Sequence, residues 1–218
     1  VAASRRAETR IRQLVESYGL AAYQGALAAL FAEGESRGRK GLAGLPKGTF
    51  TITEEQDDWA LWQATITISD DRFTVDLRGN PEQSAAPYNT SRDGAVIAAQ
   101  MVFKALTDPT LFANAGSFRA LEVITEPGTI FHATGNAPHG YYFETRIRLY
   151  DMLWQCLARA MPDRLPAGNF ASICGTVIAG THPDTGRRFT MVEPQMGGWG
   201  ATSERDGLDA MYSACHGE

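Results

Sequence analysis

Apolar residues recur every three or four positions through the first thirty residues. Ile11, Leu14, Val15 and Tyr18 share one helical face, and Gly19 stands where such a helix ends. Leu20, Tyr23, Leu27, Leu30 and Phe31 carry the same period into a second helix, so residues 1–33 are expected as a helical segment. The stretch 34–48, GESRGRKGLAGLPKG, holds five glycines and a proline and is expected as a linker or loop.

Beyond it the period falls to two. Phe50 and Ile52 alternate with threonines. Trp62, Ala64, Ile66 and Ile68 share one face against Thr65 and Thr67, and Phe73, Val75 and Leu77 alternate with Thr74, Asp76 and Arg78. The short connection Ser69-Asp70-Asp71 makes a hairpin, so three antiparallel strands are expected. Ser91 or Asp93 caps a helix carrying Val96, Ile97, Met101 and Leu106. Phe118–Ile124 reads as a strand, followed by a turn at Glu126-Pro127-Gly128-Thr129. Ile147, Tyr150, Leu153, Trp154, Leu157 and Met161 mark a long amphipathic helix that Pro162 stops. Ile173–Ala179 and Phe189–Glu193 read as strands around a turn at His182–Gly186. The fold class is α+β, a largely antiparallel sheet with packed helices, with residues 49–218 forming the α+β domain.

Composition narrows the function classes. The 218 residues are 44% apolar and 21% charged, with a net charge of −5 and no basic patch, so nucleic acid is not an expected partner. No run approaches a membrane span, and VAASRRAETR lacks the apolar core of a secretory signal. Cys156, Cys174 and Cys215 are odd in number and far apart, which fits a reducing, cytoplasmic setting. The chain begins at Val1 and ends at Cys215-His216-Gly217-Glu218, and reads as a piece of something longer.

Several clusters offer chemistry. Gly197-Gly198-Trp199-Gly200 lacks the Gly-Lys-Ser/Thr ending of a phosphate loop, and it is either a structural turn or a binding loop. The loop reading predicts that Gly198→Val removes activity and leaves the fold intact; unfolding would mark a structural glycine. His132 and His139 lie seven apart in one loop, as solvated side chains or a convergent pair. Glu144 and Arg148 are spaced for a surface ion pair on a helix. Asp206 and Asp209 are paired acids near a turn, and Cys174 sits in an apolar strand pattern. Neighbours on a chain point apart, so Cys215-His216 is not a dyad.

Six stretches in order resemble the B-type subunit of the hydantoinase/oxoprolinase family. They are Val1–Arg6 through Tyr18-Gly19, Leu45–Phe50, Val75–Gln83 with Pro87-Tyr88-Asn89, Asn114–Arg119 with Glu126–Thr129, Pro162–Ala167, and the Gly-Gly-Trp-Gly stretch with Asp206-Gly207. Arg119-Ala120 departs from that family's usual Arg-Pro. The resemblance covers nearly the whole chain and implies a portion of a larger multi-subunit enzyme. Its function would be ATP-dependent opening of a cyclic amide such as a hydantoin, 5-oxoproline or a lactam. The alternatives are ATP-dependent ketone carboxylation, of the acetone or acetophenone type, or a non-catalytic structural module. In this family ATP and Mg belong to an A-type partner subunit, which fits the missing phosphate loop. The family's metal motif lies in an N-terminal part of the B-type subunit outside this chain, so no metal ligand is assigned here. The resemblance leaves the catalytic residues unassigned and points to Asn114, Arg119, Gly198, Trp199 and Asp206 around a small-molecule pocket.

Overall fold

The structure, a computed structural model, describes residues 2–173 and 175–212. Cys174 and Cys215-His216 therefore lie outside the described residues.

Helix α1 (Ala2–Tyr18) ends at Gly19, whose φ of 82° breaks the helix, and α2 (Leu20–Ala43) restarts at once. The break and both helices follow the apolar period. The expected linker at 34–48 is instead helical as far as Ala43. Gly34, Gly38 and Gly41 fall four and three residues apart, so they share the face of α2 that is pressed into the body. A β-carbon on Gly41 would stand 2.0 Å from the Thr107 carbonyl oxygen. Glycine is selected there by close packing, which outweighs its poor helix propensity.

Strands β1 (Gly48–Glu55), β2 (Leu61–Ile68) and β3 (Phe73–Asp76) form the expected antiparallel meander, with Gly48 opposite Ile68 and Ile68 opposite Phe73. Helix α3 (Arg92–Thr107) then crosses over, and β4 (Leu121–Ile124) returns parallel to β3, giving the order β1-β2-β3-β4. The cap of α3 is Ser91, whose hydroxyl accepts from the Gly94 N–H at 3.2 Å. Phe118 is not in the strand, because Ala115–Phe118 close a 3-10 turn capped by Asn114 and Ser117. Helix α4 (Tyr142–Ala158) completes the packed layer.

The alternation seen in the sequence sets the layers. Ala64, Ile66, Ile68, Phe73, Val75 and Leu77 are buried on one face of the sheet, while its threonines face outward. Ala95, Ala98, Ala99, Val102 and Phe103 of α3 and Leu149, Met152, Leu153 and Leu157 of α4 complete that core. The alanines keep α3 close, and Phe103 meets Phe73 edge-on with ring centres 5.5 Å apart.

Two separate hairpins follow: β5 (Thr176–Thr181) with β6 (Arg188–Glu193), and β7 (Gly197–Trp199) with β8 (Leu208–Met211). Among the described residues no helix is long and apolar enough to cross a membrane.

Candidate functional site

A cleft of about 670 Å³ opens between the tip of the β1–β2 hairpin, Pro87-Tyr88, the first turns of α4 and Ala171-Ser172. The hairpin tip, Gln56 to Ala60, is closed by N–H bonds from Gln56 to the Ala60 carbonyl and from Trp59 to the Gln56 carbonyl, both 2.9 Å. This places Glu55, Asp57 and Asp58 along one wall. Asp58 accepts from the Ala60 N–H at 3.1 Å and from the Tyr88 hydroxyl at 3.0 Å, tying the tip to the facing loop. On the other wall Tyr141, Glu144, Thr145 and Arg148 recur three or four apart and so face the same way from the start of α4. Trp62 closes the floor.

Asn89 holds the loops that shape this cleft. It is fully buried. Its amide nitrogen donates to the carbonyls of Ser84 (2.8 Å), Ala86 (3.1 Å) and Pro138 (2.9 Å), and its oxygen accepts from the Ser84 N–H at 2.7 Å. One side chain thus closes the turn before Tyr88 and pins to it the loop that enters α4. The Asn89 carbonyl is paired with His139 Nδ1 at 3.0 Å, and the Tyr141 N–H donates to the Pro87 carbonyl at 2.6 Å.

Charge is gathered behind the wall. The expected Glu144–Arg148 pair does not form: Arg148 instead crosses to Glu54 on β1, and Glu144 accepts from the Ile173 N–H at 3.1 Å. The crossing pair ties α4 to the sheet, a longer-range link than the helix-surface bond that spacing suggests. Asp151 lies 3.9 Å from Arg148 and is buried, with Oδ2 accepting from Gln155 at 2.9 Å. Burial raises the Asp151 carboxyl above the usual carboxylate range, against the lowering effect of Gln155 and Arg148. A carboxyl that protonates more readily folded than unfolded makes the folded chain hold the extra proton, so its contribution to stability falls as pH rises through that window. Asp151→Asn, uncharged throughout, is therefore expected to melt above the parent at neutral pH, with a gap that narrows on acidification to about pH 4. Melting curves across that range check this, and a gap that widens in acid would contradict it.

A second, shallower cleft of about 660 Å³ lies over Gln63, Asp76, Arg78 and Glu126. There Arg78 forks onto Asp76 at 2.5–3.1 Å and holds that carboxyl below its usual range. The Arg78 charge is occupied by this pair.

The five residues expected around a pocket lie in separate places, and none lines either cleft. Asn114 caps the 3-10 turn, accepting from the Gly116 N–H at 2.8 Å and donating to the Leu30 carbonyl at 2.9 Å. Arg119 pairs with Glu35 of α2 at 2.8 Å. Both sit at the seat of α2 against the body. Gly198 and Trp199 lie in β7, and exposed Asp206 lies in the loop before β8.

The glycine stretch reaches the cleft indirectly. The Gly200 N–H donates to the Gly168 carbonyl at 2.7 Å, and the Gly198 carbonyl accepts from the Phe170 N–H at 3.1 Å. These bonds position 167–170, whose continuation, Ala171-Ser172, walls the cleft. A β-carbon on Gly200 would stand 2.7 Å from the Ala167 backbone, whereas on Gly198 it would meet only the Leu208 carbonyl at 3.8 Å. Gly198→Ala is expected to leave the melting temperature within a degree or two and Gly200→Ala to lower it clearly, as thermal melts of the pair would show. Equal losses would contradict this placement.

Cys156 is buried, donates to the Ala64 carbonyl at 3.4 Å and has its thiol pushed up to about 12 by burial, so it is a packing residue. His132 bonds the Thr125 hydroxyl at 2.9 Å. Among the described residues no group of histidine, cysteine, aspartate and glutamate is arranged to hold a metal ion.

Comparison with known proteins places this architecture. The hydantoinase B/oxoprolinase family model matches residues 1–217. A protein of Pseudomonas sp. (strain NS671), described as the B-type subunit of a D-/L-hydantoinase, is 26% identical over 230 aligned positions, covering 97% of this chain and 38% of its own length. An uncharacterised protein of Methanocaldococcus jannaschii is 32% identical over 136 positions, 62% of this chain and 23% of its own. Two solved structures share the fold. They are the ATP-dependent caprolactamase from Pseudomonas jessenii (TM-score 0.79, 21% identity, 93% of this chain, 37% of that one) and nucleotide-free acetone carboxylase (TM-score 0.70, 18% identity, 93% and 30%). The chain thus spans about a quarter to two fifths of the length of these relatives. The order of motifs, the family match along residues 1–217 and the shared α+β fold agree, and the chain belongs to the hydantoinase B/oxoprolinase family.

Proposed function

We propose that this chain is a portion of the B-type subunit of an ATP-dependent cyclic-amide hydrolase that works with an ATP-binding A-type subunit. The observation that carries this reading is the likeness to the B-type subunit of a hydantoinase along 97% of the chain. The caprolactamase fold match adds support.

ATP held on the A-type subunit would supply activation of the amide oxygen; water then adds to the carbonyl carbon, and the C–N bond opens to an amine and a carboxylate. The cleft offers a cyclic amide complementary chemistry. Trp62 and Tyr88 provide aromatic walls for the ring, Glu144 a carboxylate for the amide N–H, and Tyr141 and Thr145 hydroxyls. Arg148 is engaged by Glu54 and acts as a brace for the wall.

The test is a substrate panel on the complete B-type polypeptide with its A-type partner. Hydantoin, 5-oxoproline and caprolactam are incubated with ATP, with and without bicarbonate. Ring-opened product formed without bicarbonate supports the hydrolase. Turnover only with a ketone and bicarbonate assigns the carboxylase reading instead.

A further inference from the structure

Helix α1 buries none of its residues, although Ile11, Leu14 and Tyr18 form an apolar stripe along it. Tyr18 is 72% exposed. Helices of this length draw most of their stability from packing an apolar face, so this stripe is built to be covered. Its charge is distinctive too. Arg5, Arg6, Arg10 and Arg12 stand against Glu8 and Glu16, in a chain whose net charge is −5. Arg12 pairs with Glu8 at 2.8 Å, while Arg5, Arg6 and Arg10 meet no carboxylate among the described residues. Arg6 and Arg10, four apart, run along one edge of the stripe.

The complementary surface is the outer side of the β1–β2 hairpin tip. Glu55, Asp57 and Asp58 are exposed there, beside Trp59, 79% exposed, and Leu61, 55% exposed. Trp59 is held outward at a φ of 67°, in the left-handed region that a bulky side chain seldom adopts. An acidic knob carrying an exposed indole and a leucine is the counterpart, in charge and in apolar content, of a helix carrying arginines, isoleucine, leucine and tyrosine. No ion pair joins α1 to the tip within one chain among the described residues.

We propose that α1 of one copy docks on the hairpin tip of a second copy. Both halves of the contact are on every chain, so two copies satisfy both at once and the pair closes by two-fold symmetry. Arg6 and Arg10 face Glu55 and Asp57, while Ile11 and Leu14 cover Leu61 and the Trp59 ring, over which a guanidinium stacks. The helix lies on the outside of the wall that bounds the larger cleft, so pairing stiffens that wall. This inference rests on charge and exposure and is independent of the ring-opening reading.

Sedimentation of the 218-residue chain tests it through a charge swap. The wild type is expected to pair at about 50 mM salt and to weaken tenfold or more at about 500 mM, where exposed charges are screened. The double variants Arg6→Glu/Arg10→Glu and Glu55→Lys/Asp57→Lys are each expected to run as monomers. Mixed in equal amounts they should recover the mass of a pair, since the reversed helix meets the reversed tip and the native helix meets the native tip. All four positions are exposed, and circular dichroism of each variant verifies the fold. A wild-type monomer at about 100 µM and low salt, a pair indifferent to the swaps, or a mixture that stays monomeric would each overturn the proposal. The wild-type salt series decides the matter even if a variant fails to fold.

Discussion

Gly41→Val is expected to unfold the chain or to lower its stability by about 3–5 kcal/mol, most of what a domain of this size has. The reason is the seat of α2. A β-carbon at residue 41 would lie 2.0 Å from the carbonyl oxygen and 2.4 Å from the Cα of Thr107, at the C-terminal end of α3. Both atoms are backbone, so no rotamer relieves the overlap and α2 must lift away. Lifting it exposes Leu42, which is fully buried, and pulls on the Arg119–Glu35 bridge and the Asn114 bond to Leu30. At Gly25, in the same helix, a β-carbon would meet nothing within 4 Å. Gly25→Ala should therefore raise stability by about 0.5–1 kcal/mol through helix propensity alone. Urea denaturation of the two variants measures both. Similar midpoints for them would mean that α2 is not seated on α3 in solution.

Asn89→Ala is expected to cost about 3–5 kcal/mol, because it leaves an N–H and three carbonyls in a buried loop without their partner. Asn89→Asp separates hydrogen bonding from volume. It keeps the shape and the acceptor for Ser84, yet it turns an oxygen toward the Ser84, Ala86 and Pro138 carbonyls. It should be at least as damaging as alanine. Because Tyr88 and Tyr141 are carried by the loops that Asn89 joins, amide exchange at 84–90 and 136–141 should quicken more than exchange in α3. A thermal melt gives the size of the loss and exchange its location. Tolerance of aspartate would contradict the assigned bonds.

The elements with a repeating side-chain period are legible in the sequence, and the surfaces between them are less so. The meander follows from Trp62 to Leu77 alternating by two, and α4 from Ile147, Tyr150, Leu153 and Leu157. The helical reach of α2 is hidden because glycine reads as a breaker. The clue is the four-and-three spacing of Gly34, Gly38 and Gly41, which is a helical face with its side chains deleted. The start of β4 is misplaced by sequence reading because Phe118 is apolar in a strand-like context, while the Asn114–Ser117 cap that bends the chain is a local bond. Ser91, Gly19 and the turn at Glu126–Thr129 are readable from local chemistry alone.

The cleft is assembled from four segments far apart in sequence, so no motif announces it. Tyr141 and Glu144 stand out only as an aromatic run with an acid. Spacing assigns Arg148 the nearer carboxylate, four residues away, and the fold gives it Glu54, 94 residues away. Asn89 lies inside a stretch singled out for its family resemblance, but its buried network depends on Pro138, which local reading does not bring near. Among the residues singled out, Gly198 and Trp199 bear on the cleft through the backbone of 167–170, and Asn114 and Arg119 secure α2.

The measurement that bears most directly on the proposed activity is the coupling of ADP release to ring opening by the complete B-type polypeptide and its A-type partner. Each opened hydantoin or lactam ring is expected to be matched by ADP, without bicarbonate, and omitting the B-type polypeptide should abolish product. Product formed without ATP, or by the A-type subunit alone, would contradict this reading.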